Sequence, residues 1–124
     1  MRGLTGWWGV VLEAPDAHEL ARFYSSLLGW PIAKEDQGGA AIAVPGTTSY
    51  LSFDSSPGYE PPTWPAEPGR QRQMMHLDVG VADVAAAVEE ALALGATLAE
   101  FQPQEDIRVL LDPAGHPFCL YLDS

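Results

Sequence analysis

Two stretches of this chain repeat one another at a fixed offset of 67 residues. The strand-like run Gly9-Val10-Val11-Leu12-Glu13-Ala14-Pro15-Asp16 is matched by His76-Leu77-Asp78-Val79-Gly80-Val81-Ala82-Asp83, and each run leads into a helix-like stretch that ends at a glycine, Gly29 or Gly95. A repeated unit that cannot bury its apolar face alone packs against its copy, so a ligand cavity is expected between or under the copies. The 124 residues make room for one domain, spanning 1–124. A domain near this size buries about two thirds of its unfolded surface.

Local signals give the same grammar twice. Residues 7–13 read as a strand. Asp16, with Glu19 three residues on, forms a capping box and starts a helix. Ala17, Leu20, Phe23, Tyr24, Leu27 and Leu28 recur at spacings of three and four, which gives one apolar face, and Gly29 is placed for a left-handed cap. Pro31 to Glu35, Ala40 to Val44 and Ser49 to Phe53 follow as three short strands. The second copy reads as a strand over 75–81, a helix from Asp83 to Leu94, and strands near 97–101, 107–111 and 117–122. The last two strands are joined by the turn Asp112-Pro113-Ala114-Gly115. Module 1 therefore covers about 5–54 and module 2 about 74–124. Residues 55–73, with five prolines, form a semi-extended connector between them.

Composition narrows the function. Seventeen acidic against six basic residues give a net charge of -11, a field that repels nucleic-acid phosphates and anionic membrane surfaces and favours cationic ligands. The single Cys119 cannot form an internal disulfide. The apolar run at the N-terminus is too short for a signal peptide, and no stretch approaches a membrane span, so the expected location is cytoplasmic. No phosphate-cradling loop, nucleophile elbow or Cys-x-x-Cys pair occurs.

The double β-α-β-β-β order resembles the vicinal oxygen chelate superfamily, which includes glyoxalase I, extradiol dioxygenases and bleomycin-resistance proteins. Phe23-Tyr24-Ser25-Ser26-Leu27-Leu28-Gly29-Trp30 closes the first helix, and Asp112-Pro113-Ala114-Gly115-His116-Pro117-Phe118 leads into the last strand. The resemblance covers about residues 5–122 and implies an α+β fold of two tandem βαβββ modules, their strands curled into an open cup. It also implies a homodimer. Metal-using members place a His, Gln or Glu from the first strand and a Glu from the fourth strand of each module on one divalent ion. By spacing, the matching positions here are Gly9, Leu51, His76 and Cys119. Glycine and leucine offer no donor, and a His–Cys pair has too few ligands for a mononuclear catalytic site, so no metal or other cofactor is expected; a divalent metal is the alternative.

Strand parity supplies the other candidates. Trp7, Val11 and Glu13 share a face with Gly9, and Asp78 and Gly80 share one with His76. Glu13 and Asp78 are candidate general bases, or else partners of Arg108. His76 is either a catalytic or ligand-contacting group or a neutral histidine hydrogen-bonded inside the cup; Cys119 is either a site thiol or a small apolar filler. The expected ligand-binding lining is thus Trp7, Val11, Trp64, His76 and Cys119, with Trp64 reaching over from the connector, whereas Trp8 and Trp30 read as core. His18 and His116 read as structural or solvated. Two functions fit these residues. The favoured one is a metal-free protein that binds or sequesters a small organic ligand, similar to the antibiotic-resistance members. The other is a glyoxalase- or dioxygenase-type enzyme, a lyase, isomerase or oxidoreductase acting on a small oxygen-rich substrate through His76 and an inward carboxylate.

Overall fold

A computed structural model describes residues 1–123; Ser124, the last residue of the expected second module, lies outside the described residues. The chain divides into two compact units, Met1–Tyr59 and the part from Glu60 onward. In the first, β1 (Trp8–Ala14), α1 (Ala17–Leu28), β2 (Ile32–Glu35), β3 (Gly39–Ala43) and β4 (Ser49–Ser55) follow in order. They make a four-stranded sheet of order β1-β4-β3-β2, with β1 parallel to β4 and the other pairs antiparallel. Helix α1 starts where the Asp16 carboxylate accepts the backbone N–H groups of His18 and Glu19, at 3.0 and 3.3 Å, and ends at Gly29, whose φ of 72° suits a residue without a Cβ.

The core of this unit follows from two periods meeting. Leu20, Phe23 and Tyr24 bring the apolar stripe of α1 onto the sheet, where alternation in β3 and β4 turns Ala40, Ile42, Leu51 and Phe53 toward it. All seven are buried, and the Tyr24 and Phe53 rings stack with centroids 5.7 Å apart. Each large apolar side chain buried here contributes about 1.5–3 kcal/mol.

The second unit repeats the pattern with β5 (Leu77–Val81), α2 (Val84–Leu94), β6 (Thr97–Leu98), β7 (Ile107–Leu111) and β8 (Pro117–Leu122), in sheet order β5-β8-β7-β6. The repeat extends to register: Val10 pairs with Leu51 as Leu77 pairs with Phe118, both partners shifted by the same 67 residues. The α+β fold of two tandem βαβββ modules is therefore what the chain adopts. Asp83 caps α2 by accepting the N–H of Ala86 at 3.1 Å. Where α1 carries Leu20, Phe23 and Tyr24, α2 is rich in alanine, and Ala91 is its one fully buried residue. No helix is long and apolar enough to cross a membrane, among the described residues.

Three local readings differ from the structure. Strand β6 covers two residues rather than 97–101, because the Gln102 side chain takes over the pairing: its Nε2 donates to the carbonyls of Ala99 and Val109 at 2.8 Å, and its Oε1 accepts the Val109 N–H at 2.9 Å. The connector is folded at its second half, where the Thr63 N–H donates to the Gln71 carbonyl at 2.8 Å and closes a loop that contains a cis Trp64–Pro65 bond. Trp8, at the first position of β1, is 63% exposed rather than core.

Candidate functional site

Each helix covers one face of its sheet and leaves the other uncovered by the module itself. Gly9 raises the question of a bulge that would exchange the two faces, but the β1–β4 pairing runs unbroken from Trp8 to Ala14. Val11 and Glu13 therefore lie on the uncovered face as parity requires, and Val11 is 51% exposed. Gly9 is glycine for another reason: a Cβ there would collide with the ring and the carbonyl oxygen of Tyr50, its partner across β4. Trp7 stands just ahead of β1 and is 64% exposed.

In the second module the uncovered face assembles a compact group. His76 immediately precedes β5, Asp78 lies two residues on, and the parallel register sets Asp78 directly opposite Cys119 on β8. Nε2 of His76 is 3.2 Å from Oδ1 of Asp78, and the Cys119 thiol donates to the same carboxylate. Burial pushes the thiol above its ordinary value of 9.0, and the negative charge and hydrogen bond of Asp78 add to the push. The thiol is thus a protonated donor in this arrangement, not an activated nucleophile. One donor atom from each of His76, Asp78 and Cys119 falls within 4.8 Å of the others. Tyr121 pairs with Gly80 beside the group, its ring end 3.0 Å from where a Cβ on Gly80 would sit.

Two residue assignments need correction. Leu51 is not the first-module counterpart of Cys119: it is 5% exposed and faces α1, and the residue at the 67-residue offset, opposite Val11, is Ser52. The Ser52 hydroxyl donates to the Ala40 carbonyl at 3.2 Å. Nor does Asp78 pair with Arg108, which lies opposite Leu120 on the helix-covered face and donates through Nη1 to the carbonyls of Gln104, Glu105 and Ile107. The partners of Asp78 are His76 and Cys119.

The remaining candidates are spread out. Trp64 is held within the second unit, its Nε1 donating to the Phe101 carbonyl at 3.0 Å and its ring 5.9 Å from that of Phe101. His18 makes a 2.7 Å contact from Nε2 to the Asp36 carbonyl. The His116 N–H donates to Asp112, a buried carboxylate that also accepts from Ala114 and so braces the β7–β8 turn. A cavity of about 750 Å³ holds none of the expected site residues; it lies on the helix side of the second module among Val84, Val88, Leu98, Arg108 and Leu122. The small side chains of α2 leave it unfilled.

The donor set decides what these faces can hold. Of the four positions that carry a metal in the superfamily, Gly9 has no donor and Ser52 has its hydroxyl engaged, so the four-residue set does not fit this chain. What the second module can do is present an imidazole paired with a carboxylate, a hydrogen-bond and proton-exchange site, with a thiol beside it.

A model of the glyoxalase-like domain matches residues 9–121. Solved structures share the fold. A glyoxalase/bleomycin resistance protein/dioxygenase family enzyme from Burkholderia phytofirmans PsJN aligns at 19% identity and TM-score 0.66, over 90% of this chain and 94% of that one. An antibiotic-binding protein from Streptomyces sp. CB03234 aligns at 15% identity and TM-score 0.60, over 100% of both chains. A mutant of the fosfomycin resistance protein from Listeria monocytogenes, complexed with Mn(II) and 1S,2S-dihydroxypropylphosphonic acid, aligns at 12% identity and TM-score 0.70, over 98% of this chain and 92% of that one. No curated protein sequence matches the chain.

Proposed function

This chain belongs to the glyoxalase-like domain family of the vicinal oxygen chelate superfamily, and from that premise we propose that it binds a small organic cation and holds it without a family-type catalytic metal. The observation that carries the reading is the residue inventory of the uncovered sheet faces. Glu13 lies opposite Asp54 in the first module and Asp78 lies beside His76 in the second, with Val11, Tyr50 and Tyr121 supplying apolar and aromatic surface. Carboxylates beside aromatic faces suit an amine-bearing ligand, which gains both charge attraction and cation–π contact. The net charge of -11 acts in the same direction. The antibiotic-binding protein of the same fold supports holding over turnover. In this reading His76, Asp78 and Cys119 of the second module contact the ligand, with the Tyr121 ring beside them.

Titration calorimetry in EDTA with benzyltrimethylammonium, against phenylphosphonate as its anionic counterpart, tests the reading. Saturable binding of the cation, weakened by Asp78→Asn and by added salt, is the expected result. Binding of phenylphosphonate alone, or of neither probe, would overturn it.

The His76–Asp78 pair is the observation that favours the enzymatic alternative, because a carboxylate that orients an imidazole prepares it to move a proton. Turnover of a small vicinal-oxygen substrate, lost in His76→Ala, would make that the better reading. The proposal also takes the chain as a homodimer, since each sheet ends in two edge strands, β1 and β2 or β5 and β6, with backbone groups to cover. Light scattering at micromolar concentration should give twice the 13.3 kDa chain mass; the monomer mass alone would remove this part.

A further inference from the structure

We propose that His76, Asp78 and Cys119 form a binding site for one thiophilic divalent cation of the zinc and cobalt type, contained wholly within the second module. The sequence-level expectation of no metal rests on two donors, His76 and Cys119. The structure adds a third, because Asp78 sits opposite Cys119 in the β5–β8 register and 3.2 Å from the imidazole. With one donor atom from each side chain inside a 4.8 Å span, an ion can lie close to imidazole nitrogen, carboxylate oxygen and thiolate sulfur together. The arrangement rests on backbone pairing rather than on a loop: Asp78 and Cys119 occupy adjacent strands, and His76 precedes Asp78 on the same face.

The chemistry of the set selects the ion. One nitrogen, one oxygen and one sulfur donor match zinc and cobalt, whereas magnesium, calcium and manganese prefer oxygen ligands throughout. Three protein ligands also leave a coordination position open to solvent or to a small molecule. This site differs from the four-position set of the superfamily, which draws on both modules; Asp78 is not one of those positions, and the two first-module positions are Gly9 and Ser52. On binding, the Cys119 proton leaves to solvent and the sulfur becomes the metal-bound thiolate.

Cobalt(II) titration of the metal-free full chain tests this without any organic ligand, so its failure leaves the binding reading where it stands. The expected result is one Co²⁺ per chain, with visible d–d bands of high intensity and a near-ultraviolet sulfur-to-cobalt charge-transfer band. Zn²⁺ should abolish these bands stoichiometrically, and a hundredfold excess of Mg²⁺ should not. Cys119→Ser should remove the charge-transfer band, and His76→Ala and Asp78→Asn should each weaken Co²⁺ binding at least tenfold, with circular dichroism confirming that each variant folds. Absence of the charge-transfer band at stoichiometric Co²⁺, or its survival at unchanged affinity in both His76→Ala and Asp78→Asn, would overturn the site. Should a variant not fold, the wild-type spectrum and its Zn²⁺ competition decide the matter alone.

Discussion

Gly9 and His76 occupy the same place in the two copies, yet one is bare backbone under a tyrosine ring and the other is the head of a polar cluster. The Tyr50 ring and carbonyl leave no room for a Cβ at position 9, so the site chemistry of the first module is closed by packing as well as by composition. Gly9→Ala should destabilise the protein by about 1–3 kcal/mol, the usual cost of forcing atoms into filled space, as read from the urea midpoint. Cys119 gives a second prediction at this scale. Its thiol is held protonated first by burial and then by Asp78, so in EDTA its alkylation by iodoacetamide at mildly alkaline pH should be slower than that of free cysteine, and Asp78→Asn should speed it. The sign for stability follows: a group whose folded value is raised contributes stability below its unfolded value. That contribution is present at neutral pH and is lost as pH climbs past 9.0 and through the raised value. Equal alkylation rates in wild type and Asp78→Asn would show that the carboxylate does not hold the thiol.

The two helices show how far the local code reaches among elements. The caps and stops of both were legible because each is one residue with one physical job: Asp16 and Asp83 accept backbone N–H groups, and Gly29 and Gly95 take positive φ of 72° and 118°. The strand alternation was legible as well, since a period of two leaves no choice of face once the register is unbroken. What could not be read locally was the end of β6, where the Gln102 side chain accepts the Val109 N–H and shares the Val109 carbonyl with the backbone N–H of Ala99, and the counterpart of Cys119, which the 67-residue offset assigns to Ser52 although spacing alone suggested Leu51. The elements also differ in how tightly they close. Phe53→Ala, which empties a fully buried position against α1 and Tyr24, should cost about 3–5 kcal/mol. Val88→Ala, beside the open groove under α2, should cost about 1 kcal/mol or less. Thermal melts that rank these two variants in the opposite order would contradict the packing described for the two modules.

At the scale of the whole molecule, duplication has produced two modules of one architecture and unequal chemistry. The first invests its large side chains in a tight core; the second keeps the imidazole, the thiol and a carboxylate together on its uncovered face, and leaves a groove of about 750 Å³ on the opposite, helix side. The ligand is placed on the uncovered face of the second module, against the competing claim of the groove beneath α2. Methyl and aromatic ¹³C correlation spectra recorded during titration with benzyltrimethylammonium test that most directly, because the two locations are marked by different side chains. The largest shifts are expected at the His76 and Tyr121 rings. Shifts confined to the methyls of Val84, Val88, Leu98 and Leu122 would contradict it and move the site to the groove beneath α2.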